Sequence, residues 1–134
     1  MCGLTGCWTK KADTTLHASV RAMSKTLYHR GPDAGAVWVD EPEGIGLGHR
    51  RLKVIDLSEN GAQPMHSACN RYVLVFNGEI YNAFQLKNEL ITSNYNFRSK
   101  TDTEIILVLY EKYGLEYTLK KLNGMFAICI LDLR

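Results

Sequence analysis

Met1-Cys2-Gly3-Leu4-Thr5-Gly6 opens the chain, and the meaning of its cysteine governs how everything downstream is read. In model peptides a thiol and an α-amine both titrate near neutrality. With Met1 removed, Cys2 would carry both groups on one residue. The amine could then act as general base for the thiol of its own residue, a nucleophile–base pair that needs no distant histidine. Taken alone, the stretch reads more simply as a cysteine beginning a buried strand over residues 2–8, broken by Gly3 and Gly6. Glycine inside a strand often marks the close approach of another backbone or a ligand. The motifs that follow decide between the two.

Leu16, Val20, Met23 and Leu27 recur every three or four residues and predict a helix over 14–28, with Thr14 or Thr15 as its cap. His29-Arg30-Gly31-Pro32-Asp33 is a tight loop by its turn chemistry. Residues 36–39 and 45–52 read as a hairpin about the turn Glu41-Pro42-Glu43-Gly44, with 54–57 continuing it after a bend. Residues 72–76 form a strand that Asn77-Gly78 should stop. A helix over 83–91 follows. Thr101 and Glu104 have capping-box spacing and open a helix that ends at Gly114. A short helical piece over 117–122 and a last strand over 125–131 complete the chain.

The chain has 134 residues, 46% hydrophobic and 22% charged, with a formal net charge of +2. That suits one globular domain and argues against disorder. Interspersed charges give no argument for nucleic acid or an anionic membrane. No apolar run is long enough to span a bilayer, and no signal peptide is expected. Cys2, Cys7, Cys69 and Cys129 are irregularly spaced, which favours a reduced, cytoplasmic protein over a disulfide framework. Cys2 and Cys7 lack zinc-site spacing, so no metal is expected. The last strand ends near Arg134 without a closing element. An open edge strand there suggests the front part of a longer protein.

Several motifs fall in one order: Cys2-Gly3-Leu4-Thr5-Gly6, His29-Arg30-Gly31-Pro32-Asp33, Gly48-His49-Arg50-Arg51-Leu52, Gly61-Ala62-Gln63-Pro64, Asn77-Gly78-Glu79-Ile80-Tyr81-Asn82, Thr101-Asp102-Thr103-Glu104 and Leu122-Asn123-Gly124-Met125-Phe126-Ala127. Together they resemble the class II (N-terminal nucleophile) glutamine amidotransferase domain, in the form that begins the glutamine-hydrolysing asparagine synthetases. The resemblance covers Cys2 to about Asp132. It departs from the family pattern at Leu4, Thr5 and Ala34, none of which carries a chemical role. It implies an α+β fold of the Ntn-hydrolase kind, a four-layer α/β/β/α sandwich of antiparallel sheets, incomplete here at its C-terminus. Residues 1–134 would be the N-terminal part of the glutaminase domain. The synthetase domain would lie outside this chain, and ATP and Mg2+ would belong to it. No cofactor is expected in the fragment itself.

The resemblance also implies the roles. Cys2 would attack the side-chain amide of L-glutamine, with its own α-amine shuttling the proton. Asn77, through its side-chain amide, and Gly78, through its backbone N–H, would hold the oxyanion. The α-carboxylate calls for a bidentate arginine. Motif matching puts Arg51 there, with backbone groups of Leu52, Lys53, Val54 and Ile55 nearby. Arg50 is the rival, and strand alternation lets only one of the two face the pocket. Glu79 and Asp102 would receive the α-ammonium, although Asp102 reads equally as a helix-start residue facing the dipole. Arg30 and Asp33 would order the loop over the pocket. His29 and His49 would be superfluous as bases.

Two classes of function follow. One is an amidotransferase glutaminase whose ammonia goes to ATP-dependent asparagine synthesis from aspartate, or to another acceptor such as a sugar phosphate, a phosphoribosyl group or another carboxylate. The other is a non-catalytic glutamine-binding module that keeps Met1. The expected partners are L-glutamine, the C-terminal synthetase domain and, by similarity, a second copy in a homodimer.

Overall fold

The computed structural model describes residues 1–134. In chain order it contains β1 (Gly3–Trp8), α1 (Leu16–Thr26), β2 (Ala34–Asp40), β3 (Ile45–Arg51), β4 (Met65–His66), β5 (Tyr72–Ile80), α2 (Ala83–Thr92), α3 (Asp102–Lys121) and β6 (Gly124–Asp132). Single 3-10 turns occur at Tyr28–Arg30 and Glu59–Gly61. Two antiparallel sheets result, ordered β1-β3-β2 and β4-β5-β6.

Strand alternation builds the layers. Gly46 and Gly48 of β3 turn toward α1, where a side chain on either would press against Val20. Leu47 turns the other way and packs with Val73 and Val75 of β5, beside Leu4 and Trp38. The opposite face of β5, with Leu74, Phe76 and Ile80, packs on Leu86 and Leu90 of α2 and on Ile105 to Leu109 of α3. The order is therefore α1, sheet, sheet, then α2 with α3, the four layers expected.

Several local expectations need correction. β5 does not stop at Asn77-Gly78 but runs to Ile80, because β6 pairs with it along its whole length from Tyr72↔Asp132 to Ile80↔Gly124. A long ladder overrides the turn preference of Asn-Gly. Residues 54–57 form a loop, not a strand continuation, and Val54 and Leu57 are 73% and 72% exposed. Strand β1 is only partly buried, with Trp8 turned to solvent. In α1 the buried stripe is Leu16, Val20 and Ser24, while Met23 is exposed. The helix start is held by Asp13, whose Oδ1 accepts from the Thr15 N–H at 2.8 Å and the Thr15 hydroxyl at 2.7 Å. Strand β4 had no counterpart in the sequence reading.

Thr101 makes no side-chain cap bond. Glu104 instead reaches back past it, accepting from the Arg98 N–H at 2.9 Å and from Ser99 N–H and Oγ, both at 2.7 Å. Gly114 does interrupt α3, at φ 78° and ψ 178°, splitting it into two helical pieces. A positive φ is the conformation that glycine accepts at least cost. Strand β6 closes its sheet order with an unpaired outer edge.

Candidate active site

Cys2 lies immediately before β1. Strand alternation gives it the same facing as Leu4, which packs in the inter-sheet core. A cavity of about 160 Å³ opens beside it at this end of the sandwich. That volume is below the range of about 300–1,000 Å³ usual for drug-sized ligands and suits a molecule of amino-acid size. The Leu52 N–H donates to Cys2 Sγ at 3.4 Å, and the thiol lies 3.8 Å from the Leu52 carbonyl. Arg30 Nε donates to the Cys2 carbonyl at 3.3 Å, so the 29–33 loop holds the cysteine backbone.

Of the residues expected at the site, Cys2, Arg51, Leu52, Val54, Ile55, Gly78, Glu79 and Asp102 line this cavity. Lys53 and Asn77 are not part of its wall. Lys53 is drawn outward: its N–H donates to Asp33 Oδ2 at 2.8 Å and its Nζ pairs with Glu59 at 2.6 Å. Asn77 shares its strand face with Val73 and Val75, toward the first sheet, and its Oδ1 is buried without a partner.

Gly78 owes its place to the open edge of β5. Strand β4 covers only Val73 and Leu74. Beyond it, the Phe76 N–H donates to Gln63 Oε1 at 2.6 Å, and the Ile80 N–H to Asp102 Oδ2 at 3.1 Å. The Tyr81 N–H points the other way, to the Asn123 carbonyl at 2.7 Å. Alternation in an antiparallel strand therefore directs the Gly78 N–H to the Gln63–Asp102 edge, between two donors already satisfied. It is the free donor of that edge, and Gly78 lines the cavity.

Arg51 is 5% exposed. Its Nη1 donates to the Ser58 carbonyl at 2.7 Å and its Nη2 to the Asp56 carbonyl at 2.5 Å. A side chain at Gly61 would collide with this guanidinium, so the glycine makes its seat. Arg50 faces the opposite side of the sheet, stacked on the Tyr28 ring at 4.9 Å, and is absent from this cavity. Geometry thus separates the two arginines in favour of Arg51.

Asp102 is buried at the start of α3. Burial raises its carboxyl above the ordinary aspartate value; the Ile80 N–H opposes this and the neighbouring Glu79 adds to it. Two carboxylates and one guanidinium thus line the same cavity.

The sequence reading gave no role to Asp56, Gln63 or Thr103, all of which line the cavity. Asp56 accepts from Ser58 Oγ at 2.6 Å, from the Lys100 N–H at 2.9 Å and from the Ser58 N–H at 2.9 Å. These bonds hold its carboxyl down at about 2. Gln63 ties β5 to α3, since its Nε2 donates to Thr103 Oγ1 at 3.1 Å. The Gly61-Ala62-Gln63-Pro64 motif was the available signal for Gln63; nothing marked Asp56. His49 is buried, with Nε2 3.2 Å from the Phe76 carbonyl, which makes that nitrogen the donor. Burial lowers its pKa to about 4. It is a neutral structural imidazole outside the cavity wall. His29, in the exposed 3-10 turn, is outside it too.

Residues 1–134 match the glutamine amidotransferase domain family throughout. The chain belongs to this family. This amidotransferase domain is 41% identical over 133 residues to asparagine synthetase [glutamine-hydrolyzing] 1 of Bacillus subtilis, covering 97% of this chain and 20% of that protein. It is 40% identical over 106 residues to the amidase chry2 of Gibberella zeae, covering 79% of this chain and 16% of that protein. The chain therefore spans a fifth or less of the length of these relatives. Among solved structures it resembles glutamine phosphoribosylpyrophosphate amidotransferase of B. subtilis, with a TM-score of 0.75 at 21% identity, covering 99% of this chain and 35% of that one. That likeness establishes the amidotransferase fold. No helix of the domain is long and apolar enough to cross a membrane.

Proposed function

We propose that this domain hydrolyses L-glutamine to glutamate and ammonia, as the glutaminase part of an asparagine-synthetase-like amidotransferase. The observation that carries the reading is the set of groups that line the Cys2 cavity: Arg51 as a cation, Glu79 and Asp102 as carboxylates, and Gly78 with its free N–H. A zwitterionic amino acid matches that pattern. Its carboxylate would meet Arg51, its ammonium the two acids, and its side chain would extend toward Cys2.

With Met1 removed, the Cys2 α-amine takes the thiol proton as Sγ attacks the amide carbon. The tetrahedral oxyanion accepts from the Gly78 N–H. The carbon–nitrogen bond breaks, and ammonia departs with the proton from the α-amine, leaving a glutamyl thioester. Water, deprotonated by the same amine, attacks the thioester, releasing glutamate and restoring the thiol. Asn77 would add its side-chain amide from the inter-sheet face of β5, the layer that Cys2 also faces. Lys53 contributes no side-chain contact in this reading.

The ammonia would serve ATP- and Mg2+-dependent amidation of aspartate on a synthetase domain outside this chain. The second reading is an amidotransferase with another acceptor, a sugar phosphate, a phosphoribosyl group or another carboxylate. Met1 bears on a third. It lines the cavity mouth, and while present it holds the Cys2 nitrogen in a peptide bond. A chain that retained it would bind glutamine without cleaving it.

The test is glutamate release by the Met1-free chain and by Cys2→Ala. Activity in the first and none in the second is the expected result. Undiminished release by Cys2→Ala would sink the proposal.

A further inference from the structure

We propose that the cleft between α1 and β2 binds a phosphate-bearing small molecule, at a site separate from the Cys2 cavity. The cleft has a volume of about 270 Å³. His17, Arg21 and Lys25 line it from α1 and Arg50 from β3, over the β2 backbone at Gly35 to Val37. Residues four apart stand in one row on a helix, so the three α1 side chains form a continuous ridge. No Asp or Glu lines the cleft. None of these basic side chains takes part in an ion pair.

Basic residues on a helix surface are ordinarily just solvated, but two features set this cleft apart. Arg50 is held in advance of any ligand. Its Nε donates to the Gly31 carbonyl at 2.9 Å, its Nη2 to the Pro32 carbonyl at 3.2 Å, and its guanidinium stacks on Tyr28 at 4.9 Å. Its Nη1 lies over Gly35, where any side chain would collide with it, and has no partner. The second feature is Ser24, which lines the cleft at 5% exposure with a hydroxyl that has no hydrogen-bond partner. Thr5 Oγ1 is buried and unpartnered behind it, outside the cleft wall. Both residues lie against the bare α-carbon of Gly48, where a Cβ would be 3.2 Å from Thr5 Oγ1 and 3.3 Å from Ser24 Cβ.

The donor set selects the ligand class. A carboxylate carries one charge on two oxygens, which Arg50 alone would satisfy. A phosphate monoester carries close to two charges and presents three acceptor oxygens. That demand matches a fixed guanidinium, the Arg21 and Lys25 cations and the Ser24 hydroxyl together. None of these groups belongs to the Cys2 cavity, so the inference does not depend on the glutaminase reading.

The experiment is a titration of the 134-residue chain with inorganic phosphate at constant ionic strength, followed through backbone amide resonances. Chloride is the control. Saturable shifts at Ser24 and Gly35 are expected, weakened severalfold by Ser24→Ala and more than tenfold by Arg21→Glu with Lys25→Glu. Those positions are on the helix surface or change one small group, and unchanged amide spectra elsewhere would show the fold intact. Non-saturating shifts, equal shifts with chloride, or equal affinity in the variants would overturn the proposal. Should the double variant disturb amides throughout the chain, Ser24→Ala alone decides.

Discussion

Gln63 accepts the Phe76 N–H on its Oε1 at 2.6 Å, and His49 Nε2 lies 3.2 Å from the carbonyl of the same residue. The peptide groups on either side of Phe76 are thus held from both sides, two residues before the free Gly78 N–H. Gln63 is in turn tied to Thr103 at the start of α3. Replacing Gln63 with alanine should leave a buried N–H unpaired and cost about 1–3 kcal/mol. It should also lower glutamine turnover more than it raises KM, because the oxyanion donor loses its support. Urea denaturation and steady-state kinetics check this; unchanged stability with unchanged turnover would contradict it.

His49 makes a separate prediction for stability against pH. Its folded pKa, about 4, lies below the ordinary histidine value of 6.5 because the imidazole is buried. The unfolded chain therefore binds the extra proton first. Stability is full above pH 6.5 and is lost as pH falls toward 4, by up to about 3 kcal/mol. Asp56, held down at about 2, acts in the same direction but below the ordinary aspartate range. Thermal melts from pH 7 to 4 should show the slope, and His49→Gln, which can still donate to Phe76, should flatten it. An equal slope in the variant would assign the effect elsewhere.

The layers were legible only through the family resemblance, the opposite facing of Arg50 and Arg51 through strand alternation, and the break at Gly114 through backbone sterics. The extent of β5 was not. Asn77-Gly78 is a turn signal locally, and only the β6 ladder, nearly fifty residues away in sequence, keeps it extended. The same ladder decides the site. By running straight through, β5 turns the Asn77 side chain toward the first sheet and leaves Gly78 to face the cavity edge. Asp56 was illegible for a similar reason, since its partner Lys100 is distant in sequence. Lys53 was included for its backbone groups, and nothing local showed that Asp33 would take its N–H.

Arg51 should govern glutamine affinity. Arg51→Lys keeps the charge but loses the two-pronged donor geometry. A charge-assisted hydrogen bond contributes about 1.5–3 kcal/mol, so KM should rise roughly tenfold to a hundredfold with a smaller change in kcat. Because Arg51 also holds the Asp56–Ser58 loop, a melt should accompany the kinetics. An unchanged KM in a folded variant would remove Arg51 from the carboxylate role.

Asp102 should set the acid limb of kcat/KM. Its carboxyl is raised by burial and by Glu79, and it must be ionised to hold an ammonium. As pH falls it takes up a proton sooner than an ordinary aspartate, so KM should climb from a higher pH than for an exposed carboxylate. Asp102→Asn should raise KM and abolish that limb. A pH profile identical in the variant would assign the limb to another group.

Acid-quenched mass spectrometry of the Met1-free chain during turnover of glutamine tests the central claim most directly. The account predicts a glutamyl adduct on the N-terminal peptide that contains Cys2, labile to alkali as a thioester is, and absent from Cys2→Ala. Steady glutamate release with no adduct on that peptide, or with an adduct on another residue, would contradict it.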